Sequence, residues 1–222
     1  MVGRRHNAAR VLVFAKYPTP GRVKTRLMTD ISAEQAASVH RVLVCGLLER
    51  LSRLPAALRL ELCGDRPAGA AFYSGLLSQY PCMQFSLQRG NDLGCRMNFA
   101  LRSALIRSAR VILVGSDCPD LNATHVLALQ AALTTHDVAL IGAEDGGYVA
   151  IALKAPQPCL FRGIDWGTSA VLEQTLRAAR RNRLRAQVVA TLADLDEISD
   201  LQRFAGIAQQ AGCEMVPGAG SH

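Results

Sequence analysis

Aromatic residues are scarce in this chain. They make up 5% of its 222 residues, and Trp166 is the single tryptophan. Platforms for single-stranded nucleic acid stack bases on several aromatic faces, so a nucleic-acid partner is disfavoured despite a net charge of +7. No two of the seven cysteines stand in Cys-x-x-Cys spacing, which removes the common zinc and dithiol motifs. No apolar run approaches the roughly 18 residues of a membrane span. Arg4 and Arg5 precede only a short apolar run that ends at Lys16, so no signal peptide is expected. Two phosphate fingerprints are missing as well. No G-x-G-x-x-G follows the first strand, which disfavours a dinucleotide site, and there is no Walker A loop.

What is present describes a packed globular protein, 50% hydrophobic and 19% charged. Its length suits one α/β domain, expected over residues 10–211, with flexible ends at 1–9 and 212–222. An odd number of cysteines, several within apolar runs, reads as buried free thiols in a reducing cytoplasm. The positive balance suggests an anionic small-molecule partner such as a nucleotide or phosphate ester. Part of it lies in one run (Arg177, Arg180, Arg181, Arg183, Arg185) that reads as a solvated helix end.

Apolar runs at 10–15, 58–63, 83–87, 111–114, 137–142 and 186–190 read as strands, with one more after the Gly146-Gly147 turn. Helical patterns lie between them. Ser32 and Gln35 form a capping box before a long helix whose Val39, Leu43, Leu47 and Leu51 share a face. Further helices are expected over 68–80, from Asn91 or Asp92, over 122–134, after Thr168 as cap, and from about Ser199. This alternation predicts a mostly parallel central sheet with helices on both faces, a three-layer α/β/α arrangement.

The polar loops fall after strands, where an open sheet of this kind keeps its ligands. VILVGSDCPDL sets Asp117 and Asp120 at the end of a buried strand; a metal or nucleotide site and a helix-capping Asp-Pro turn both fit. In KYPTPGRVKTRL, Gly21, Arg22, Lys24 and Arg26 cluster behind Ala15 and Lys16 and suit a diphosphate. QRGNDLGCRM offers Gln88, Asp92, Gly94 and Arg96; Gly94 early in a helix suggests close approach of another group. EDGGYV brings Asp145, Gly146, Gly147 and Tyr148, either against a ligand or as a plain hairpin. IDWGTS places Trp166, Thr168 and Ser169 before a helix, as an anion site or as its cap.

Taken in order, FAKYPTPGRVKTRL, NDLGCRM, VGSDCPDL, AEDGGYV and FRGIDWGTSAVL resemble the radical-SAM/selenodomain-associated bacterial transferases, often labelled arsenosugar-biosynthesis glycosyltransferases. The likeness runs from about residue 10 to 205. It implies the GT-A-like fold of the nucleotide-diphospho-sugar transferase superfamily, and a kinship with the guanylyltransferases of deazaflavin-cofactor synthesis. By that resemblance Lys24 and Arg26 hold nucleotide phosphates, with Ala15, Lys16, Gly21, Arg22, Gln88, Asp92, Gly94 and Arg96 in the nucleotide site. Asp117 is the principal ligand of Mg2+ (or Mn2+), with Asp120 and Asp165 as further candidates. Asp145 joins Asp117 and Lys24 in catalysis, and Gly146, Gly147, Tyr148, Trp166, Thr168 and Ser169 line the acceptor or sugar side. Cys95, Val149 and Gly167 depart from the family pattern, the last two in the segments that shape the acceptor pocket.

The resemblance implies a cytoplasmic transferase moving a glycosyl group from a sugar nucleotide to a small acceptor. Two alternatives stand beside it. One is nucleotidyl transfer from a nucleoside triphosphate to a phosphorylated small molecule with release of pyrophosphate. The other is a non-catalytic nucleotide-binding protein on the same fold.

Overall fold

In the computed structural model, which describes residues 6–213, the apolar runs become the strands of one sheet. They are His6–Ala15 (β1), Leu58–Gly64 (β2), Gln84–Leu87 (β3), Ser108–Gly115 (β4), Val138–Ala143 (β5), Tyr148–Leu153 (β6) and Ala186–Leu192 (β7). They pair in the order β3-β2-β1-β4-β6-β5-β7. All neighbours are parallel except β6, which runs antiparallel to both β4 and β5. Its direction follows from the tight turn at Gly146-Gly147, which leaves no room for a crossover helix.

The helices Ala33–Ser52 (α1), Ala71–Gln79 (α2) and Ala123–Ala132 (α4) cover one face of the sheet. Leu93–Leu105 (α3) and Val171–Arg181 (α5) cover the other. Side chains alternate between these layers: Val11, Val13, Ile112 and Val114 pack toward α1 and α4, while Leu12, Phe14, Leu113 and Val111 pack toward α3. Strands buried on both faces need no polar alternation, which is why β4 and β5 read as unbroken apolar runs. The predicted capping box is present, with Ser32 accepting from the Gln35 N–H and the Gln35 side chain accepting from Ser32 N–H. Val39, Leu43, Leu47 and Leu51 are all buried, each contributing about 1.5–3 kcal/mol of transfer free energy.

Several boundaries differ from the sequence reading. β1 begins at His6, inside the stretch expected to be loose. α2 starts at Ala71 rather than 68, because Pro67 and Gly69 form a turn closed by the Ala70 N–H on the Pro67 carbonyl. The final helix is two short ones, Ile198–Arg203 (α6) and Ala205–Gln210 (α7), broken at Phe204 where ψ reaches 51°. Both pack with Leu27 and Leu43 in a satellite cluster that also buries Cys213, a residue expected in the loose tail. The rest of that tail, 214–222, lies outside the described residues, as do residues 1–5. All seven cysteines are free, but Cys82 and Cys95 are exposed rather than buried. Among the described residues no helix is long and apolar enough to cross a membrane.

The strand order sets the place of the site. β1 leads through α1 to β2 on one side and has β4 on its other side. Connections leaving the carboxyl ends of β1 and β4 therefore diverge and open a crevice between them.

Candidate active site

Lys24 and Asp117 meet in that crevice. The loop after β1 turns at Gly21, which takes φ +76°, and reaches Lys24 in the left-handed region at φ 49° and ψ 41°. That conformation costs a residue with a Cβ roughly 1–2 kcal/mol, so something must hold it. The Lys24 amine lies 2.6 Å from Asp117 Oδ1 and 2.9 Å from Asp196 Oδ1, and donates to the Leu195 carbonyl at 2.5 Å. Its side chain is 3% exposed. Burial pulls the amine down, but the charges of Asp117 and Asp196 outweigh this and hold it above its ordinary value. Burial pushes the Asp117 carboxyl up, and Lys24, helped by the His40 ring, overrides that to hold it well below the usual carboxylate range.

Asp117 has two different oxygens. Oδ1 is buried against Lys24, whereas the side chain as a whole is 47% exposed, so the second oxygen faces the cleft. His40, on the buried face of α1, completes the cluster. Its Nε2 lies 3.0 Å from the Lys16 carbonyl and therefore carries the proton there, while Nδ1 stands 3.8 Å from Asp117 Oδ1. The backbone also joins the two loops, with the Leu195 N–H donating to the Asp117 carbonyl at 2.9 Å.

The cleft has two lobes that share Asp117, Gly115, Leu93, Met97, Tyr148, Val149 and Gly167. The larger encloses about 640 Å³ and is lined by Ala15, Lys16, Lys24, Arg26, His40, Gln88 and Asp196 among others. Gln88 donates from Nε2 to the Cys63 carbonyl at 2.8 Å and to the Ala15 carbonyl at 3.4 Å. With its amide nitrogen so committed, its side-chain oxygen is the end left to accept from a ligand. The smaller lobe encloses about 200 Å³, with Asp117, Asp145, Asp194, Tyr148, Trp166 and Thr168 on its walls. Burial, and then the charges of Asp145 and Asp196, push the Asp194 carboxyl up to about 6. A separate, mainly apolar cavity of about 400 Å³ at the amino end of β2 has, among the described residues, Arg59 as its one ionic lining residue. It lies away from the converging loops.

Gly21, Arg22, Asp92, Arg96 and Gly146 sit beside the cleft rather than on its walls. Asp92 caps α3, accepting from the Cys95 N–H at 2.6 Å, and that bond holds its carboxyl below the ordinary value. Arg96 folds back to donate from Nε to the Gly90 carbonyl at 3.0 Å. Gly21 and Arg22 are exposed on the first loop. Gly146, at φ +90°, lies against backbone: a Cβ there would stand 2.1 Å from the Ser169 carbonyl oxygen. The expected cap at Thr168 is corrected. α5 starts at Val171, and the Thr168 hydroxyl instead bridges the Asp165 carbonyl and the Ala170 N–H in a turn before it. Asp165 is occupied by Gln174, and the cap of α4 is Asn122 rather than Asp120, which is exposed.

Gly94 has the close neighbour its position suggested. A Cβ on it would stand 2.6 Å from Trp166 Nε1 and 2.8 Å from the Phe161 carbonyl oxygen. Gly94→Ala is therefore expected to displace the Trp166 ring and destabilise the fold by about 1–3 kcal/mol. Urea unfolding followed by tryptophan fluorescence reads both effects, since Trp166 is the sole emitter of its kind.

Sequence reasoning missed Asp194, Asp196 and His40. The first two had a usable signal: they follow a strand at its carboxyl end, like Asp117, although β7 is a half-buried edge strand that runs to Leu192, two residues past the expected 190. His40 gave no such signal, being one polar residue in an apolar helical stripe.

A model of the family described as an uncharacterized protein conserved in bacteria (DUF2064) matches residues 50–168. The chain is also similar to a crystal structure from Desulfovibrio desulfuricans G20, provisionally named a nucleotide-diphospho-sugar transferase. The two share 34% identity over 90% of this chain and 87% of that one, with a TM-score of 0.80. Fold alone is shared with the 4-diphosphocytidyl-2C-methyl-D-erythritol synthase of Anaerococcus prevotii DSM 20548 (10% identity, 92% and 97% coverage, TM-score 0.62). The same holds for the inositol-1-phosphate CTP transferase of T. maritima (12% identity, 95% and 100% coverage, TM-score 0.55). No curated protein sequence matches the chain.

Proposed function

The chain belongs to the DUF2064 family, and from that premise we propose that it is a transferase using a nucleotide-activated donor, moving a glycosyl group from a sugar nucleotide to a small acceptor. One observation carries this reading: a single cleft is divided into a larger lobe with cations and a smaller lobe with carboxylates, and Asp117 stands where they meet. The name of the 34%-identical neighbour supports the donor class.

In this reading the nucleoside diphosphate occupies the larger lobe. Lys16 and Arg26 face its phosphates, and the Gln88 carbonyl accepts from its base or ribose. Lys24, already shared by Asp117 and Asp196, acts by holding Asp117 and its loop in place. The sugar lies at Asp117, where the lobes meet, and the acceptor enters the smaller lobe beside Tyr148 and Trp166. The acceptor hydroxyl attacks the anomeric carbon as the bond to the diphosphate breaks and its electron pair leaves with the nucleotide. Asp194 takes the hydroxyl proton; a carboxylate raised to about 6 by burial and by Asp145 and Asp196 is well matched to that task near neutrality.

The donor set fits Mg2+ or Mn2+. The outward oxygen of Asp117 and the carboxylate of Asp145 are hard ligands on one lobe, which suits a cation. Among the described residues no three metal-ligating side chains form a ready cage. Phosphate oxygens and water would therefore complete the shell around Asp117. When bound, such an ion neutralises charge developing on the leaving diphosphate.

Nucleotidyl transfer is the second reading, favoured by the basic first loop. The experiment is to supply magnesium, a metabolite extract as acceptor source and each sugar nucleotide or nucleoside triphosphate in turn, assaying nucleoside diphosphate and pyrophosphate. Nucleoside diphosphate is expected from one sugar nucleotide. Asp194→Asn is expected to lower kcat by about 100-fold and to remove the rise in rate through about pH 6. Pyrophosphate released from a triphosphate would establish nucleotidyl transfer instead, and a nucleotide that binds without turnover would leave the non-catalytic reading.

A further inference from the structure

We propose that the smaller lobe selects an unphosphorylated acceptor, a neutral or cationic hydroxy compound that lays an apolar face against Trp166 and Tyr148. This rests on the reading of the lobe as the acceptor side.

The argument is one of charge and shape. Among the described residues the ionic side chains on the walls of the smaller lobe are Asp117, Asp145 and Asp194, with no lysine or arginine. Lys24 is the nearest cation to Asp117, but its amine is buried and shared between Asp117 and Asp196, outside this lobe. A phosphorylated acceptor would bring about two negative charges among these carboxylates, at a range where like charges repel. A divalent ion held at Asp117 would still leave Asp194 and Asp145 on the wall that meets the incoming phosphate. Sites that bind phosphate esters supply arginine, lysine or a helix amino terminus, and here the N–H groups at the start of α5 do not substitute. The Ala170 N–H is taken by the Thr168 hydroxyl at 3.3 Å, the Val171 N–H by the Thr168 carbonyl at 3.4 Å and the Leu172 N–H by the Gly146 carbonyl at 2.9 Å.

The remaining wall suits a ring. Trp166 and Tyr148 meet edge to face at 6.2 Å and 80°, Val149 and Met97 lie beside them, and the Thr168 hydroxyl is at the edge. Aromatic faces pack the C–H side of a polyol or heterocycle, while Asp145 and Asp194 accept from its hydroxyl or ammonium groups. The same division of charge separates the two chemistries. Nucleotidyl transfer to a phosphorylated molecule needs a phosphate in this lobe, whereas glycosyl transfer to a hydroxyl does not.

Trp166 fluorescence gives a test that does not depend on turnover, because the sole tryptophan is in this wall. The full chain is titrated with glucose, glucosamine and glucose 6-phosphate, with and without magnesium. Glucose and glucosamine are expected to bind at least about tenfold more tightly than glucose 6-phosphate. In the Asp145→Asn/Asp194→Asn double variant, the glucose to glucose 6-phosphate difference should shrink to about threefold or less. The proposal is overturned if glucose 6-phosphate binds the wild type as tightly as glucose, if the difference survives in the double variant, or if none of the three probes perturbs Trp166. Calorimetry with UDP-glucose and GDP-mannose reports separately on the donor lobe. If neither donor binds while the charge preference holds, the preference stands and the glycosyl-transfer reading is the one that fails.

Discussion

Asp117→Asn is expected to lower turnover by about 100- to 1,000-fold with the fold retained. The carboxylate acts on two sides at once. Its buried Oδ1 meets Lys24, and its outer oxygen faces both lobes of the cleft. Asparagine keeps the shape but loses the charge that a divalent cation would need, so magnesium-dependent nucleotide binding should weaken markedly. Lys24 keeps Asp196 and the Leu195 carbonyl as partners, which limits the loss of stability to about 1–2 kcal/mol. Calorimetric titration of nucleotide with and without magnesium, beside circular dichroism, separates the two effects. Unchanged magnesium-dependent affinity in the variant would remove Asp117 from the metal site.

Lys24→Met should be the more damaging change to the fold. It leaves two carboxylates, Asp117 and Asp196, facing a side chain of similar length and no charge. Removing one partner of a buried pair costs about 3–5 kcal/mol, and the exposure of Asp117 and Asp196 places this one near the lower figure. Backbone geometry supplies an internal control. Lys24→Ala and Lys24→Gly lose the same amine, but only glycine relieves the left-handed conformation, so it should be about 1 kcal/mol the more stable of the two.

The sign of the pH effect follows from the shifts. Asp117 is held below its ordinary value, so its stabilisation is complete above about pH 4 and is lost as pH falls further. Lys24 is held above 10.5, so its share is complete below that pH and is lost as pH rises through the higher folded value. Urea midpoints measured from about pH 3 to 7 should therefore fall less steeply toward acid in Lys24→Met than in the wild type. Equal acid limbs in the two proteins would mean that the pair contributes nothing to acid stability.

How much of this was legible in the chain depends on the range of the interaction concerned. Local patterns identified the strands at the centre of the sheet, because Val111–Val114 and Val138–Ile141 are apolar without alternation and strands buried on both faces require that. The capping box at Ser32 and Gln35 and the apolar stripe of α1 are settled within a few turns of one helix. The same local rule identified Asp117 and the Lys24 loop as strand-end features, and the composition around Gly94 correctly signalled a close neighbour.

Tertiary structure alone decided what those residues do to one another. Lys24 reads as a free phosphate-binding cation, but it is bonded to Leu195 and Asp196, 171 and 172 positions away, and to Asp117 between them. No short-range pattern encodes that contact. It arises because β1, β4 and β7 deliver their carboxyl-end loops to one crevice after four intervening strands have taken their places. The split of the cleft into a lobe with cations and a lobe with carboxylates has the same origin. Apolar periodicity specifies which strands are buried; which loops then face each other, and with what net charge, is set only when the sheet closes its order and burial forces each ionised group to find a partner.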